Sequence, residues 1–310
     1  MPTSVPPSIL LGWFDTHERD LPWRNPDVSA WHILISEIML QQTPVARVLG
    51  PWRDWVHRWP VPSSMAAESA GEVLRAWGKL GYPRRALRLH ECAKVLARDH
   101  DDQVPDDVEA MLALPGVGDY TARAVACFAF GQPVPVVDTN VRRVIARAVH
   151  GREHPGNPSK VDLREADDLA PRTSGGLYSS AAPRFSAALM ELGALVCTAR
   201  NPRCDECPLS ACEWVRRGRP AYDGPPRKTQ KFTGTDRQVR GLLLDVLRST
   251  TGSVERARLD LAWTADAAQR DRALDSLLVD GLIEITAGDR YCLAGESPLS
   301  DRDAERQVKP

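Results

Sequence analysis

The sequence has no apolar run near the roughly 18 to 20 residues that a membrane-spanning helix needs. Its first ten residues lack the basic cluster and apolar stretch of a secretory signal, so we expect a cytoplasmic chain. In that compartment the seven cysteines stay reduced, which disfavours disulfides. The net charge is only −1. This value argues neither for nor against nucleic acid, because a local patch rather than the total charge binds a phosphate backbone.

With 310 residues the chain is long enough for two or three compact domains. A composition of 43% apolar and 26% charged residues is that of a globular protein. Arginines concentrate in clusters beside the motifs described below, and each cluster fits either a solvated helix face or contact with DNA phosphates. Their position beside the motifs favours phosphate contact. These arginines are Arg19, Arg24, Arg84, Arg85, Arg88, Arg142, Arg143 and Arg147.

Helical periodicity dominates residues 8–215, which predicts an all-α domain. Residues 216–233, rich in Gly, Pro, Arg and Lys, are typical of a linker, and residues 297–310 are expected to be a disordered tail. Between them, residues 234–296 predict three helices and a β-hairpin, which suggests a small winged-helix-like α+β domain. Such a domain either docks a protein or contacts DNA. Its candidate DNA contacts are Arg237, Arg240, Arg270 and Arg272.

Four cysteines lie close together in the pattern C-x6-C-x2-C-x4-C. Four thiolates at such short spacing predict a metal site, and both a tetrahedral zinc ion and an iron–sulfur cluster are held in this way. The spacing alone does not choose between them. The other three cysteines stand singly in apolar surroundings and are expected to pack in the core. The predicted metal ligands are Cys197, Cys204, Cys207 and Cys212, all in the loop 197–212.

A turn with two glycines, Leu114-Pro115-Gly116-Val117-Gly118, separates two predicted helices. The glycines permit a tight turn in which backbone N–H groups and the start of the next helix point outward at an anion. This helix-hairpin-helix pattern predicts contacts with a DNA phosphate at Leu114, Gly116, Val117 and Gly118. An ordinary turn between helices also fits these five residues when they are taken alone.

Two acidic residues lie in apolar segments. Glu37 is in a predicted helix that is apolar on nearly every side, and Asp138 follows an apolar run at the start of another helix. A carboxyl group such as that of Glu37 is either at the rim of the fold, paired with an arginine, or desolvated so that it holds a proton near neutral pH. Asp138 also fits a simple N-cap, because Asp-Thr-Asn is a common helix start.

Together these motifs resemble the endonuclease III superfamily of helix-hairpin-helix glycosylases over about residues 8–215. The resemblance rests on LPGVG at 114–118, VVDTN at 136–140 and the cysteine loop. Within the superfamily, SEIMLQQT at 36–43 and LPWR at 21–24 resemble the adenine DNA glycosylases of the MutY type. The resemblance implies a helix-hairpin-helix glycosylase fold, a four-iron, four-sulfur cluster on the four cysteines, and double-stranded DNA as the partner.

The resemblance also implies roles for single residues. Glu37 protonates adenine at N7 as the general acid, and Asp138 stabilises an oxocarbenium-like cation or its covalent successor. Tyr120 and Asn140 orient the site. Because Tyr120 stands where bifunctional relatives carry a lysine nucleophile, we expect a monofunctional glycosylase without an efficient β-lyase step. Residues matching Gln42 and Tyr82 act as wedges around the opposing base. The predicted substrate contacts are Arg19, Leu21, Trp23, Arg24, Gln41, Gln42 and Tyr82.

The expected function is hydrolysis of the N-glycosidic bond of adenine mispaired with 8-oxoguanine or guanine, in base excision repair, by a nucleoid-associated monomer. Two departures from the family pattern matter most. Its last cysteine gap is four residues instead of the more usual five, and the C-terminal part looks like a winged helix instead of the Nudix-like domain that inspects oxidised guanine. Two alternatives remain: a thymine or uracil mismatch glycosylase on the same fold, and a non-catalytic iron–sulfur DNA-binding regulator. Glu37 and the QQT run argue against the first, and the pair of carboxylates argues against the second.

Overall fold

The computed structural model describes residues 4–224 and 232–297. The middle of the predicted linker and the predicted tail from residue 298 onward lie outside the described residues. Over the described ranges the chain is mostly helical, with one small sheet near its end, which confirms the predicted fold class. Within those ranges, no helix is both long enough and apolar enough to cross a membrane.

The helices of the first half of the chain are α1 (Pro7–His17), α2 (Ala30–Leu40), α3 (Val45–Arg58), α4 (Pro62–Ala66), α5 (Ala70–Trp77), α6 (Arg84–Asp99), α7 (Val108–Leu112) and α8 (Asp119–Phe130). Those of the second half are α9 (Thr139–Ala148), α10 (Lys160–Leu169), α11 (Ala182–Leu195), α12 (Glu213–Arg216), α13 (Asp236–Arg248), α14 (Arg256–Asp260) and α15 (Ala267–Val279). The strands are β1 (Val254–Glu255), β2 (Ile283–Thr286) and β3 (Arg290–Leu293).

The described residues divide into two compact units. The first contains residues 4–33, 106–112 and 117–224, and the second contains residues 34–105, 113–116 and 232–297. The division along the chain falls inside α2 and again inside the glycine-containing turn. Helix α8, with the cysteine loop, therefore belongs to the first unit.

The core of the first unit forms around α9 and α11, with α1 packed on α11. Each of the two central helices has buried apolar residues at i, i+3, i+4 and i+7, the spacing that places them on one helix face. Complete burial of such a side chain stabilises the fold by about 1.5 to 3 kcal/mol. The two faces consist of Val141, Val144, Ile145 and Ala148 on α9 and Phe185, Ala188, Leu189 and Leu192 on α11.

Buried tryptophans are central to the second unit. Trp55, Trp59 and Trp77 are each 1% exposed, and the ring of Trp55 lies edge-on to the other two, with centroids 4.8 and 5.4 Å apart. The Trp55 indole donates to the carbonyl of Ala76 and the Trp77 indole to that of Gly81. Because these indole N–H groups have partners, the rings are buried without the cost of an unsatisfied donor.

The C-terminal segment (residues 232–297) contains α13, α14, α15 and an antiparallel sheet of order β1-β3-β2. The predicted hairpin is present: Ile283 pairs with Leu293 and Ile285 with Tyr291. The turn between them contains Gly288 and Asp289, both with positive φ, as tight hairpin turns require. Strand β1 was not predicted, because two residues are too short to show alternation, and α14 is shorter than the predicted helix.

Candidate active site

Glu37 lies in α2 and is only 5% exposed. The adjacent residues Ser36 and Ile38 are buried as well, so no side of the helix is exposed to solvent at this point. This burial excludes the rim placement that the sequence left open. A carboxyl group held away from water favours its neutral form, which is the form that can donate a proton.

Arg85 closes the C-terminal end of α2. The last carbonyls of a helix have no partner within it, and a guanidinium group has five N–H donors arranged as a fork. Burial lowers the pKa of Arg85 to about 10, so the side chain remains charged at neutral pH. Its acceptors are Ile38 O (2.8 Å), Met39 O (3.1 Å), Gln41 O (2.5 Å), Thr43 Oγ1 (3.0 Å) and Gly81 O (3.1 Å).

Arg85 thereby joins the two loops that carry the predicted wedges. Gln42 has a φ of 55° and Tyr82 a φ of 48°, the left-handed region that residues with a side chain rarely adopt. Both are exposed, and the Arg85 guanidinium lies 5.6 Å from the centre of the Tyr82 ring. Such strained conformations persist where the surrounding contacts hold them. The structure thus presents Gln42 and Tyr82 at the surface, while Gln41 is partly buried.

The glycine-containing turn is anchored by its apolar residues. Leu114 and Val117 are buried, whereas Gly116 and Gly118 are exposed. Gly116 has a φ of 79°, and a Cβ atom there would lie 2.6 Å from Cβ of Arg88. Gly118 forms the N-cap of α8. Any contact of this turn with a phosphate would therefore use backbone N–H groups, as the sequence predicts.

Asp138 is the N-cap of α9, so its simple structural role is real. Its Oδ1 accepts hydrogen bonds from the backbone of Asn140 (2.8 Å) and Val141 (2.7 Å), and its Oδ2 accepts one from Asn140 Nδ2 (2.7 Å). Burial raises the pKa of Asp138 above its ordinary value, and the hydrogen bonds from Val141 and Asn140 oppose that effect. The same contacts fix the carboxyl group in one orientation, which a catalytic role also needs.

Tyr120 lies in the first turn of α8 and is partly buried. It packs against the small cluster of Ala124, Cys127 and Val136. The structure thus places a phenol at this position, at the N-terminal end of α8.

Arg19 and Arg24 converge on a residue that the sequence analysis missed. Glu191 on α11 is 1% exposed and forms ion pairs with both arginines, at 2.7 and 2.9 Å. Burial alone would raise the pKa of Glu191, but the hydrogen bonds and charges of the two arginines outweigh it and lower the pKa to about 2. Leu21 and Trp23, from the same stretch, are buried. The sequence does contain a signal for Glu191, and it is the same one that identified Glu37. Each is a lone acid in an apolar helix.

The structure contradicts the phosphate contacts that were predicted for one of the arginine clusters. Arg142, Arg143 and Arg147 are at most 9% exposed and bond to groups inside the first unit. Arg142 pairs with Asp162 at 2.8 Å. The other two donate mainly to backbone carbonyls, which include those of Cys197 and Thr198. Backbone carbonyls that accept no hydrogen bond within a helix or strand can satisfy a buried guanidinium. Sequence spacing does not show which of these carbonyls lie near a given arginine.

The four cysteines line a single cavity in the first unit, together with Arg147 and Trp214. Arg147 Nη1 lies 3.5 Å from Cys197 Sγ and its guanidinium lies over the Trp214 ring, which places a buried cation beside the sulfur atoms. Burial raises the pKa of Cys207 to about 11, which favours its thiol form, and a bound metal would take the thiolate.

The four thiols share one cavity. Four thiolates held around one cavity fit an iron–sulfur cluster, and a zinc ion takes the same donor set.

Two family models match parts of this chain. The family described as "HhH-GPD superfamily base excision DNA repair protein" matches residues 35–164. The "Iron-sulfur binding domain of endonuclease III" matches residues 197–211, which confirms the predicted iron–sulfur cofactor. A solved thermostable thymine-DNA glycosylase has a TM-score of 0.61 and 31% identity, covering 68% of this chain and 95% of that one.

Curated relatives match nearly the whole chain. The adenine DNA glycosylase of Mycobacterium tuberculosis is 62% identical over 295 residues, which is 95% of each protein. That of Mycolicibacterium smegmatis is 61% identical over 294 residues, 94% of this chain and 97% of the relative. The match includes the C-terminal segment as well as the glycosylase motifs. By this identity and coverage, the chain belongs to the adenine DNA glycosylases, enzymes of the helix-hairpin-helix base excision repair superfamily.

Proposed function

We propose that this enzyme hydrolyses the N-glycosidic bond of adenine mispaired with 8-oxoguanine or guanine in duplex DNA. It acts as a monomer and, because chromosomal DNA is its substrate, at the nucleoid. The observation that carries the proposal is the burial of Glu37, at 5% exposure, within α2. Burial disfavours the charged form of a carboxyl group, which suits an acid in that position to transfer a proton to a purine ring.

Adenine is a poor leaving group until its ring carries a proton. Glu37 supplies that proton to N7, so that the base departs as a neutral molecule when the bond to C1′ breaks. Water then adds to C1′ and loses a proton, and the products are free adenine and an abasic site. A positioned acid of this kind contributes about a hundredfold to ten-thousandfold in rate.

Asp138 stabilises the positive charge that develops on the sugar. Its two oxygens accept three hydrogen bonds from Asn140 and Val141, and an ionised carboxylate is purely an acceptor, so these contacts favour the charged form. The fixed orientation means that little reorganisation is needed when the cation forms. Asn140 and Tyr120 help to orient the site.

The cysteine loop would hold the cluster through Cys197, Cys204, Cys207 and Cys212. When bound, the cluster cross-links the loop and so fixes its backbone. The abasic site remains intact after base release, because Tyr120 provides no amine for a Schiff base with the sugar.

The test is single-turnover base release from duplexes that carry A, T or U opposite 8-oxoguanine or guanine. We expect release of adenine only, and a loss of about a hundredfold to ten-thousandfold in Glu37→Gln with binding retained. Glu109→Gln is the matched control, because Glu109 is exposed on α7. Release of thymine or uracil would instead support a mismatch glycosylase of that type. Binding without any release would support a regulator.

A further inference from the structure

Arg147 on α9 is a buried cation without an acidic partner. Its side chain is 1% exposed, and among the residues that the structure describes no carboxylate forms an ion pair with it. Arg142, on the same helix, is buried beside Asp162 at 2.8 Å. Removal of a charge from water costs free energy that a nearby opposite charge has to offset. Within the described part of the chain, Arg147 therefore lacks the compensation that Arg142 has.

The groups around the Arg147 guanidinium are carbonyls, an aromatic ring and one sulfur atom. Carbonyl dipoles and the face of a ring attract a cation but carry no net charge. The sulfur differs, because a cysteine binds iron as a thiolate. Cys197 Sγ lies 3.5 Å from Arg147 Nη1, so a bound cluster brings negative charge to the place that Arg147 faces. The neutral contacts are the carbonyls of Glu153 (3.1 Å), Thr198 (2.7 Å) and Ala199 (3.5 Å) and the Trp214 ring, whose centre lies 4.9 Å from the guanidinium carbon.

These contacts reach both ends of the cysteine loop. Cys197, Thr198 and Ala199 lie at its start, and Trp214 follows its last cysteine by two residues. Trp214 is 6% exposed, and its indole donates to the carbonyl of Pro220 at 2.9 Å, which fixes the ring. Because the guanidinium is buried against this ring, water screens its charge only weakly. A charge in such surroundings acts strongly on the sulfur atom beside it.

We propose that Arg147 is the counter-cation of the iron–sulfur cluster, which means that its charge offsets the negative charge of the thiolates and raises the reduction potential of the cluster. The potential of such a cluster depends on its net charge and on hydrogen bonds to the sulfur atoms. A cation beside Cys197 favours the state that holds one more electron over the state that holds one fewer. Arg147 thus makes the cluster harder to oxidise. This role does not depend on which base the enzyme releases.

The experiment compares the reduction potentials of holoenzyme variants by protein film voltammetry. Arg147→Gln keeps N–H donors but has no charge, whereas Arg147→Lys keeps the charge without the fork of donors. We expect the potential to shift to lower values in Arg147→Gln and to stay close to that of the unmodified enzyme in Arg147→Lys. Ferricyanide, which accepts one electron, should also bleach the visible absorption of the cluster faster in Arg147→Gln than in the unmodified enzyme.

Arg164→Gln is the matched control, because Arg164 is exposed on α10 of the same unit, where water screens its charge. A potential in Arg147→Gln equal to that of this control would overturn the proposal. An equal shift in Arg147→Lys would overturn it as well, because the shape of the side chain rather than its charge would then be responsible.

Iron and acid-labile sulfide are measured in every variant, in case Arg147→Gln purifies with too little cluster for voltammetry. Normal contents in Arg147→Lys, with a loss in Arg147→Gln, would support the role of the charge. An equal loss in both variants would overturn it, because the guanidinium would then be needed only for its shape and hydrogen bonds.

Discussion

Gly193 lies directly against Asn140: a Cβ atom at position 193 would be 2.6 Å from Asn140 Cβ and 2.9 Å from the Asn140 carbonyl oxygen. Helix α11 thus approaches the start of α9 more closely than any residue with a side chain permits. Arg143 secures the contact, since its Nη2 donates both to Asn140 Oδ1 and to the Gly193 carbonyl, each at 2.6 Å. Asn140 in turn donates to Asp138, so a glycine of α11 sets the orientation of the predicted catalytic carboxylate.

Gly193→Ala is expected to displace the start of α9. Forcing a methyl group into a packed core costs about 1 to 3 kcal/mol, and the displacement of Asn140 should also slow adenine release. Denaturant unfolding and single-turnover kinetics measure the two effects. Gly12→Ala is the control, because nothing lies within 4 Å of a Cβ there and alanine favours a helix by about 0.5 to 1 kcal/mol. Normal stability and kinetics in Gly193→Ala would contradict this role.

Stability should depend on Glu191 at low pH. Its pKa is about 2 in the folded protein, against about 4.3 for an unperturbed glutamate. A lowered folded-state pKa adds stability that is present in full above the unfolded value and is lost as the pH falls from about 4.3 towards 2. The difference corresponds to about 3 kcal/mol at neutral pH.

Free energies of unfolding measured between pH 7 and pH 2.5 check this expectation. Glu191→Gln should be less stable than the unmodified chain at pH 7, and the gap should narrow as the pH falls below about 4.3. Glu109→Gln, at an exposed position, should follow the unmodified chain throughout. A gap that stays constant with pH would show that the ion pairs with Arg19 and Arg24 are not its source.

Arg85→Lys should loosen the loops that carry Gln42 and Tyr82. A lysine has three donors on a flexible stem and cannot reproduce the fork that joins five acceptors. At about 0.5 to 1.5 kcal/mol for each net hydrogen bond, we expect a destabilisation of about 2 to 4 kcal/mol and weaker binding to a duplex with an abasic analogue. Arg53→Lys, exposed on α3, is the control. Unchanged binding would separate Arg85 from DNA recognition.

Removal of one cysteine of the loop should remove the cluster. Cys207→Ala is expected to purify with little iron or acid-labile sulfide and with lower stability, because the loop loses its cross-link. Cys92→Ala, which changes a buried packing residue of α6, should keep its iron content. Stoichiometric zinc without sulfide in the unmodified enzyme would show that the cofactor assignment is wrong.

Local sequence patterns predicted several features of the helices and of the cysteine loop. The spacing of Val141, Val144, Ile145 and Ala148 defines the buried face of α9, and Asp138 caps that helix as Asp-Thr-Asn predicts. The cysteine spacing predicted one shared site, and the cysteines do line one cavity. Each of these features depends on residues that lie within a few turns of one another along the chain. At that separation, backbone geometry alone decides which side chains come into contact.

Contacts between segments that are distant along the chain could not be predicted from local sequence patterns. Arg143 and Arg147 were interpreted as phosphate contacts, yet carbonyls near Cys197 enclose them. Arg237 offered the same signal as its neighbouring arginines until the fold placed it on Tyr82.

By itself, the sequence determined the helical class, the cysteine site and two of the acids in apolar segments, Glu37 and Asp138, because helix periodicity and capping depend on short-range geometry. Only the tertiary structure decided which charges meet. It paired Glu191 with Arg19 and Arg24 across more than half of the chain, and it placed Arg85 under the ends of two loops. The physical reason is that a buried charge is stable only beside its partner, and the partner is chosen by how the helices pack rather than by its distance along the chain.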